Sequence, residues 1–152
     1  MNKDQKFLER YAELKPMIFC IQAAIELFGR EKARELAKVA FEKYSIDRFV
    51  MPLEDIPLQE RWPAWRDNLI EHADGSMYSL DKHDENMIKI KYTRCTFLDV
   101  FRDAGLEDFV PMYCEMDYLT CQLIDPRIVM TRTQILAEGA PFCDHFWEFK
   151  TK

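Results

Sequence analysis

Residues Ile128 to Phe149 read IVMTRTQILAEGAPFCDHFWEF, and the folding of this stretch decides the architecture. Two β-rich runs flank Glu138-Gly139-Ala140-Pro141, and a glycine between two such runs is a hairpin signal. Strand side chains alternate between two faces. Val129, Thr131, Thr133 and Ile135 are therefore expected on one face of the first run, with Met130, Arg132, Gln134 and Leu136 on the other. In the second run Cys143, His145, Trp147 and Phe149 share a face, opposite Asp144, Phe146 and Glu148. A thiol and an imidazole point one way, and the neighbouring carboxylate the other.

Upstream lies a second hairpin pattern, Met77 to Lys82 and Met87 to Arg94. Ile88, Ile90 and Tyr92 alternate with Lys89, Lys91 and Thr93, as in a half-buried strand. A turn is expected over Ala73-Asp74-Gly75-Ser76. The rest reads as helix. Asp4 to Leu14 has helical spacing, Pro16 is expected to break or restart it, and Met17 to Phe28 continues to a cap at Gly29. Glu31 to Tyr44 carries Ala33, Leu36, Ala37, Ala40 and Phe41 along one stripe. Pro52, Pro57 and Pro63 punctuate residues 45 to 63, and Leu58 to His72 forms a short helix. Thr96 caps a helix that ends at Gly105, with Asp99 completing a weak capping box. Pro111 starts another helix, which runs to Leu123 and stops at Asp125-Pro126. The order is helices, hairpin, helices, hairpin. It predicts one α+β domain over residues 1–152, with an antiparallel sheet of two hairpins, about four strands, covered by the N-terminal and central helices.

The bulk numbers narrow the function. The chain has 152 residues, 48% hydrophobic and 32% charged, with a formal net charge of -6. That balance suits a globular protein with a real core. The negative charge argues against a nucleic-acid backbone as partner. The longest strongly apolar run, Met17 to Ile21, is far short of the ~20 residues that span a bilayer, so no membrane is expected. The N-terminus lacks the pattern of a secretory signal, and the expected location is the cytoplasm. The five cysteines are then reduced. An exposed face of the first helices could serve a homo-oligomer, although nothing in the sequence demands one.

Two clusters could carry chemistry. Cys114, Asp117, Tyr118 and Cys121 fall on one stripe if their segment is helical. Asp117 is the informative member, because a carboxylate on an apolar stripe needs a partner or a task. Its structural role would be a salt bridge to Arg132 or Arg94. Cys143, Asp144 and His145 form the second cluster, in which His145 could lower the pKa of the Cys143 thiol. The bland alternative is core packing, since free cysteine often behaves as a small hydrophobe. His72 and His83 fall in charged, turn-like contexts and are expected to be exposed. A zinc site from Cys95, Cys114 and Cys143 with Asp117 or His145 is chemically open, but the scattered spacing does not single it out, and no cofactor is expected.

These same residues carry a family resemblance. The ordered set Lys91-Tyr92-Thr93-Arg94-Cys95, Cys114-Glu115-Met116-Asp117, Arg132 to Gly139 (RTQILAEG) and Cys143-Asp144 resembles the L-2-amino-thiazoline-4-carboxylic acid hydrolase family. The stretch Leu27 to Ala33 (LFGREKA) resembles the family's N-terminal part. The closing hairpin is also similar to the end of 4-vinyl-reductase-type small-molecule-binding domains. One departure stands out. Family members often continue the Cys-Asp pair as Phe-Arg-Phe, whereas this chain has His145-Phe146-Trp147. If that arginine holds an anionic substrate, this chain binds a different one or uses Arg132.

The resemblance implies a hydrolase acting on carbon–nitrogen bonds in a small cyclic amidine, opening 2-amino-thiazoline-4-carboxylate to N-carbamoyl-cysteine. Under that implication Asp117 is the base or amidinium anchor, and Cys114 or Cys143 is the nucleophile or a packing neighbour. His145 shuttles a proton, Arg132 or Arg94 holds the substrate carboxylate, and Asp144 supports the group from the opposite face. Two other readings stand beside it: a non-catalytic small-molecule-binding or sensory domain on the same scaffold, and a cysteine-ligated metal protein.

Overall fold

The structure is a computed structural model that describes residues 4–73 and 77–151. Residues 74–76 of the expected turn after the third helix lie outside the described residues. Helix α1 spans Gln5–Phe28, and Asp4 caps it by accepting from the Phe7 N–H at 3.0 Å. Pro16 does not break this helix. Proline removes one N–H and displaces the carbonyl four residues back, here that of Ala12. Ala12 and Pro16 are both exposed, so water can take up the freed carbonyl. Phe7, Leu14, Ile18 and Ile21 are buried at helical spacing on the other side.

Gly29, at φ 82°, turns the chain into α2 (Arg30–Ser45). A side chain would be strained at that φ. Ala33, Ala37 and Phe41 of α2 are buried, whereas Leu36 is on the exposed side. A π-turn (Ile46–Val50) and a short 3-10 turn lead to α3, Leu58–Glu71.

Strands β1 (Tyr78–His83) and β2 (Met87–Tyr92) form the first hairpin. Helix α4 (Thr96–Asp103) follows. Its cap is Cys95 rather than Thr96: Cys95 has extended backbone, and its Sγ accepts from the Leu98 N–H at 3.4 Å. Asp99 serves no capping box, because Arg94 Nε donates to it at 2.8 Å.

The single helix expected from Pro111 to Leu123 is two, α5 (Val110–Cys114) and α6 (Met116–Ile124). The Cys114 carbonyl at the break accepts from Arg132 Nη2 at 3.1 Å, a bond to a distant side chain in place of the helical ladder.

The sheet closes with β3 (Ile128–Thr131) and β4 (Cys143–Phe149). All pairs are antiparallel, in the order β1-β2-β4-β3, so the second hairpin docks β4 against β2. This is the α+β arrangement of two hairpins expected from the sequence. The first run is shorter than expected and ends at Thr131, not Leu136. The reason lies in the opposite strand: the N–H groups of Thr133 and Gln134 donate to the Asp144 carboxylate, so they do not extend the ladder.

Two apolar clusters result. One joins α1, α2, α4 and α5 around Phe7, Leu14, Phe41, Phe101 and Phe109. Each such side chain contributes roughly 1.5–3 kcal/mol through burial. The other lies between the inner sheet face and helices α3 and α6, around Trp62, Ile88, Ile90, Ile124 and Trp147. Helix α6 bridges them, with Met116 in the first cluster and Cys121 and Ile124 in the second. Asp117 therefore sits at the seam.

Candidate active site

The inner face of β4 carries Cys143, His145 and Trp147, all buried, as the alternation required. Register places His145 opposite Ile90 and Cys143 opposite Tyr92. Tyr92 and Trp147 flank the imidazole, with ring centroids at 4.7 and 5.2 Å.

Arg132 follows directly after β3 and turns inward; only 1% of its side chain is accessible. Its Nη1 donates to Asp117 Oδ2 at 2.7 Å and lies 3.3 Å from His145 Nε2, while Nη2 holds the Cys114 carbonyl. A guanidinium only donates. His145 Nε2 is therefore the acceptor, and Nδ1 carries the ring hydrogen. Arg132 also lies over the Tyr118 ring at 5.4 Å, while its Nε is buried with no hydrogen-bond partner among the described residues.

Asp144 acts from the opposite face. Its carboxylate accepts from the Thr133 N–H at 2.8 Å, from Thr133 Oγ1 at 2.7 Å and from the Gln134 N–H. It thereby fixes the backbone immediately after Arg132. Burial pushes the Asp144 carboxyl up, but these donors outweigh it and hold it below the ordinary carboxylate range.

A recess of about 110 Å³ opens beside this cluster. Asp117, Thr120 and Cys121 of α6 line one wall, and Tyr92, His145 and Trp147 of the sheet another. Phe49 of the π-turn with Trp65 and Leu69 of α3 close it. The Trp147 indole N–H is buried without a hydrogen-bond acceptor among the described residues. A larger open depression of about 430 Å³ lies at the β1–β2 turn, lined by Asp84 to Met87 with Glu148 and Phe149. It contains none of the clustered residues.

The electrostatics of the recess separate its members. Burial pushes the Asp117 carboxyl up and the Arg132 charge pulls it back, leaving it at about 6. Asp117 keeps 31% of its side chain accessible, but it shows that surface in a recess walled by aromatic rings. His145 is driven the other way, down to about 3, by burial and by the Arg132 charge, with Asp144 offsetting part. The imidazole is therefore neutral at neutral pH. All the neighbouring thiols are raised by burial: Cys95 to about 11, Cys121 to about 12, and Cys114 and Cys143 also upward.

The expected site residues thus divide. Asp117, His145 and Arg132 converge, with Asp144 behind them. Cys114 and Cys143 touch this group but do not line the recess: Cys114 contributes its carbonyl, and Cys143 Sγ accepts from the Leu136 N–H at 3.1 Å. The expected lowering of the Cys143 thiol by His145 does not occur, because the imidazole is neutral. Arg94 lies outside the group, its guanidinium engaged by Asp4 and Asp99. Phe146, in register with Lys89 and Thr131, belongs to the outer sheet face, so the departure at this position does not reach the recess. Among the described residues no three His, Cys, Asp or Glu side chains are grouped to hold a metal ion. Sequence reading missed Phe49, Trp65 and Thr120 as lining residues. The isolated aromatics in a proline-rich stretch were the available signal for the first two.

Among the described residues no helix is long and apolar enough to cross a membrane. A search of curated proteins finds no match. Residues 9–147 match the sequence model of the L-2-amino-thiazoline-4-carboxylic acid hydrolase family, nearly the whole chain, and the chain belongs to that family.

Proposed function

We propose that this chain hydrolyses a small cyclic amidine of the 2-aminothiazoline type, bound in the recess between α6 and β4. The supporting observation is that Asp117 and His145, both held by Arg132, are polar groups of an otherwise largely aromatic recess. Aromatic faces accept a flat, delocalised cation, and a carboxylate pairs with the amidinium nitrogens.

Water adds across the C=N bond at the amidine carbon, with the ionised Asp117 carboxylate taking its proton. The tetrahedral carbon then collapses to a carbonyl. The bond that opens the ring is C–S, not C–N. One proton of the water ends on the ring nitrogen and the other on the departing sulfur, so the product is a urea bearing a free thiol. For the family's named substrate that product is N-carbamoyl-cysteine. His145 serves as a neutral donor through Nδ1–H. Arg132 holds Asp117 in position, and Asp144 fixes the backbone that follows Arg132. The protonated thiols of Cys114 and Cys143 pack the site and supply no nucleophile.

A binding domain without turnover is the second reading, favoured by the aromatic lining and the raised thiol pKa values. Thiol release separates the two. The purified chain is incubated with 2-amino-thiazoline-4-carboxylate and with 2-amino-2-thiazoline, and new thiol is titrated. Ring opening of either by wild type, reduced roughly 10²–10⁴-fold in folded Asp117→Asn, supports the hydrolase. No thiol from either compound sinks it.

A further inference from the structure

We infer that the recess selects a cyclic amidinium without a ring carboxylate, so that 2-amino-2-thiazoline and its uncharged-substituent relatives fit better than the 4-carboxylate. This rests on the recess being the substrate site proposed above.

The inference comes from the charged groups around the recess. Among the described residues that line it, Asp117 is the only one that is charged at neutral pH, since His145 is neutral and the rest are aromatic, aliphatic, hydroxyl or thiol. Among the described residues no lysine or arginine lines it. Arg132, the cation behind Asp117, is almost wholly buried, and its two terminal nitrogens are committed to Asp117, His145 and the Cys114 carbonyl. Its Nε has no partner among the described residues, but Arg132 is not part of the recess lining. Arg48 lies over the Phe49 ring at 5.8 Å, but its Nη1 pairs with Glu13 at 3.1 Å. Phe146 is on the far face of the sheet and brings nothing to the recess. Arg94 is tied to Asp4 and Asp99.

A ring with two nitrogens on one carbon is cationic at neutral pH and is matched by Asp117. A carboxylate on the same ring would enter an aromatic recess beside a second carboxylate with no free cation to meet it. The unpaired indole N–H of Trp147 is neutral and offers one hydrogen bond, too little to offset a buried charge. Like charges facing each other in a partly desolvated site discriminate strongly against a ligand.

The test is equilibrium binding to the intact chain, read by the fluorescence of Trp65 and Trp147 and by calorimetry, so it does not depend on turnover. 2-Amino-2-thiazoline is expected to bind about tenfold tighter, or more, than 2-amino-thiazoline-4-carboxylate. In Asp117→Asn the preference should narrow to roughly threefold, because the repelling charge is gone while the rings remain. Equal or tighter binding of the carboxylate overturns the inference, as does absence of binding by both. Tighter carboxylate binding that is lost in Arg48→Gln would also overturn it and would name Arg48 as the carboxylate ligand. The hydrolase reading is judged separately, by thiol release.

Discussion

Arg132 Nη1 lies 2.7 Å from Asp117 Oδ2, an ion pair between the residue just after β3 and the first turn of α6. The same nitrogen reaches His145 Nε2 at 3.3 Å. One guanidinium thus sets the carboxylate's position, the imidazole's tautomer and the break between α5 and α6.

Removing the carboxylate should cost activity but not stability at neutral pH. The folded Asp117 pKa, about 6, lies above the ordinary 3.8, so the ionised carboxylate opposes folding at pH 7 even with the Arg132 charge beside it. Asp117→Asn removes that buried negative charge and keeps an oxygen that can accept from Arg132. Unfolding free energy from urea at neutral pH should therefore be unchanged or raised, while turnover falls. A loss above about 2 kcal/mol would mean that the ion pair outweighs the cost of burying the carboxylate.

Stability should depend on acid through His145. Its folded pKa, about 3, is below the ordinary 6.5, so the unfolded chain binds the extra proton between those values. Stability from this group is complete above about pH 6.5 and is lost as pH falls toward 3, at up to ~1.4 kcal/mol per pH unit. Asp117 works in the opposite sense: its folded pKa, about 6, exceeds 3.8, so the folded chain holds the extra proton and stability falls as pH rises from about 4 to 6. The two oppose each other over that window, and His145 has the wider span. His145→Gln should therefore flatten the acid limb of unfolding free energy between pH 6.5 and 4, or reverse its slope. An unchanged limb in that variant would contradict a buried neutral imidazole.

Catalysis should follow the other ionisation. If Asp117 is the base, kcat/KM rises with pH through about 6 and levels above it. A rate still climbing above pH 8 would point to a thiol instead, since burial raises those of Cys114, Cys121 and Cys143. Cys114→Ser and Cys143→Ser should both retain turnover within about threefold of wild type, well inside the ~10²-fold loss expected for removing a catalytic group.

Asp144 is a positioning residue whose removal should be felt at Arg132. Asp144→Ala deletes the acceptor for two backbone N–H groups and one hydroxyl. The expected destabilisation is about 1–3 kcal/mol. Turnover should fall with it while the pH at which the rate levels shifts, because Asp117 loses a fixed Arg132. Glu148→Gln is the control: it removes a carboxylate from the same strand and face, one paired with the half-exposed Lys150. Equal effects from both variants would reduce Asp144 to a contributor of surface charge.

Much of this architecture was legible in the residues themselves. The period-two alternation of Ile88, Ile90 and Tyr92, and of Cys143, His145 and Trp147, determined which side of each strand faces inward. Gly29 and Gly139 marked turns that need positive φ, and helical spacing located the buried stripe of α1. Pairing Asp117 with Arg132 or Arg94 was also open to reasoning, because a buried charge requires a partner. Local pattern could not choose between those two arginines. That choice depended on Arg94 meeting Asp99 in α4 and Asp4 at the start of α1, the second a contact across most of the chain.

Long-range contacts also overrode local preference in several places. Asp144 captured the backbone of Thr133 and Gln134 and ended β3 early. Arg132 drew the Cys114 carbonyl and split the helix, so the stripe drawn through Cys114, Asp117 and Cys121 spans a break. The exposure of Ala12 and Pro16 let α1 run through a proline. Above all, sequence spacing assigns residue types, whereas pKa depends on burial and neighbouring charge. Only the packed seam between the two apolar clusters made His145 neutral, kept the thiols protonated and left Asp117 as the ionisable group facing the recess.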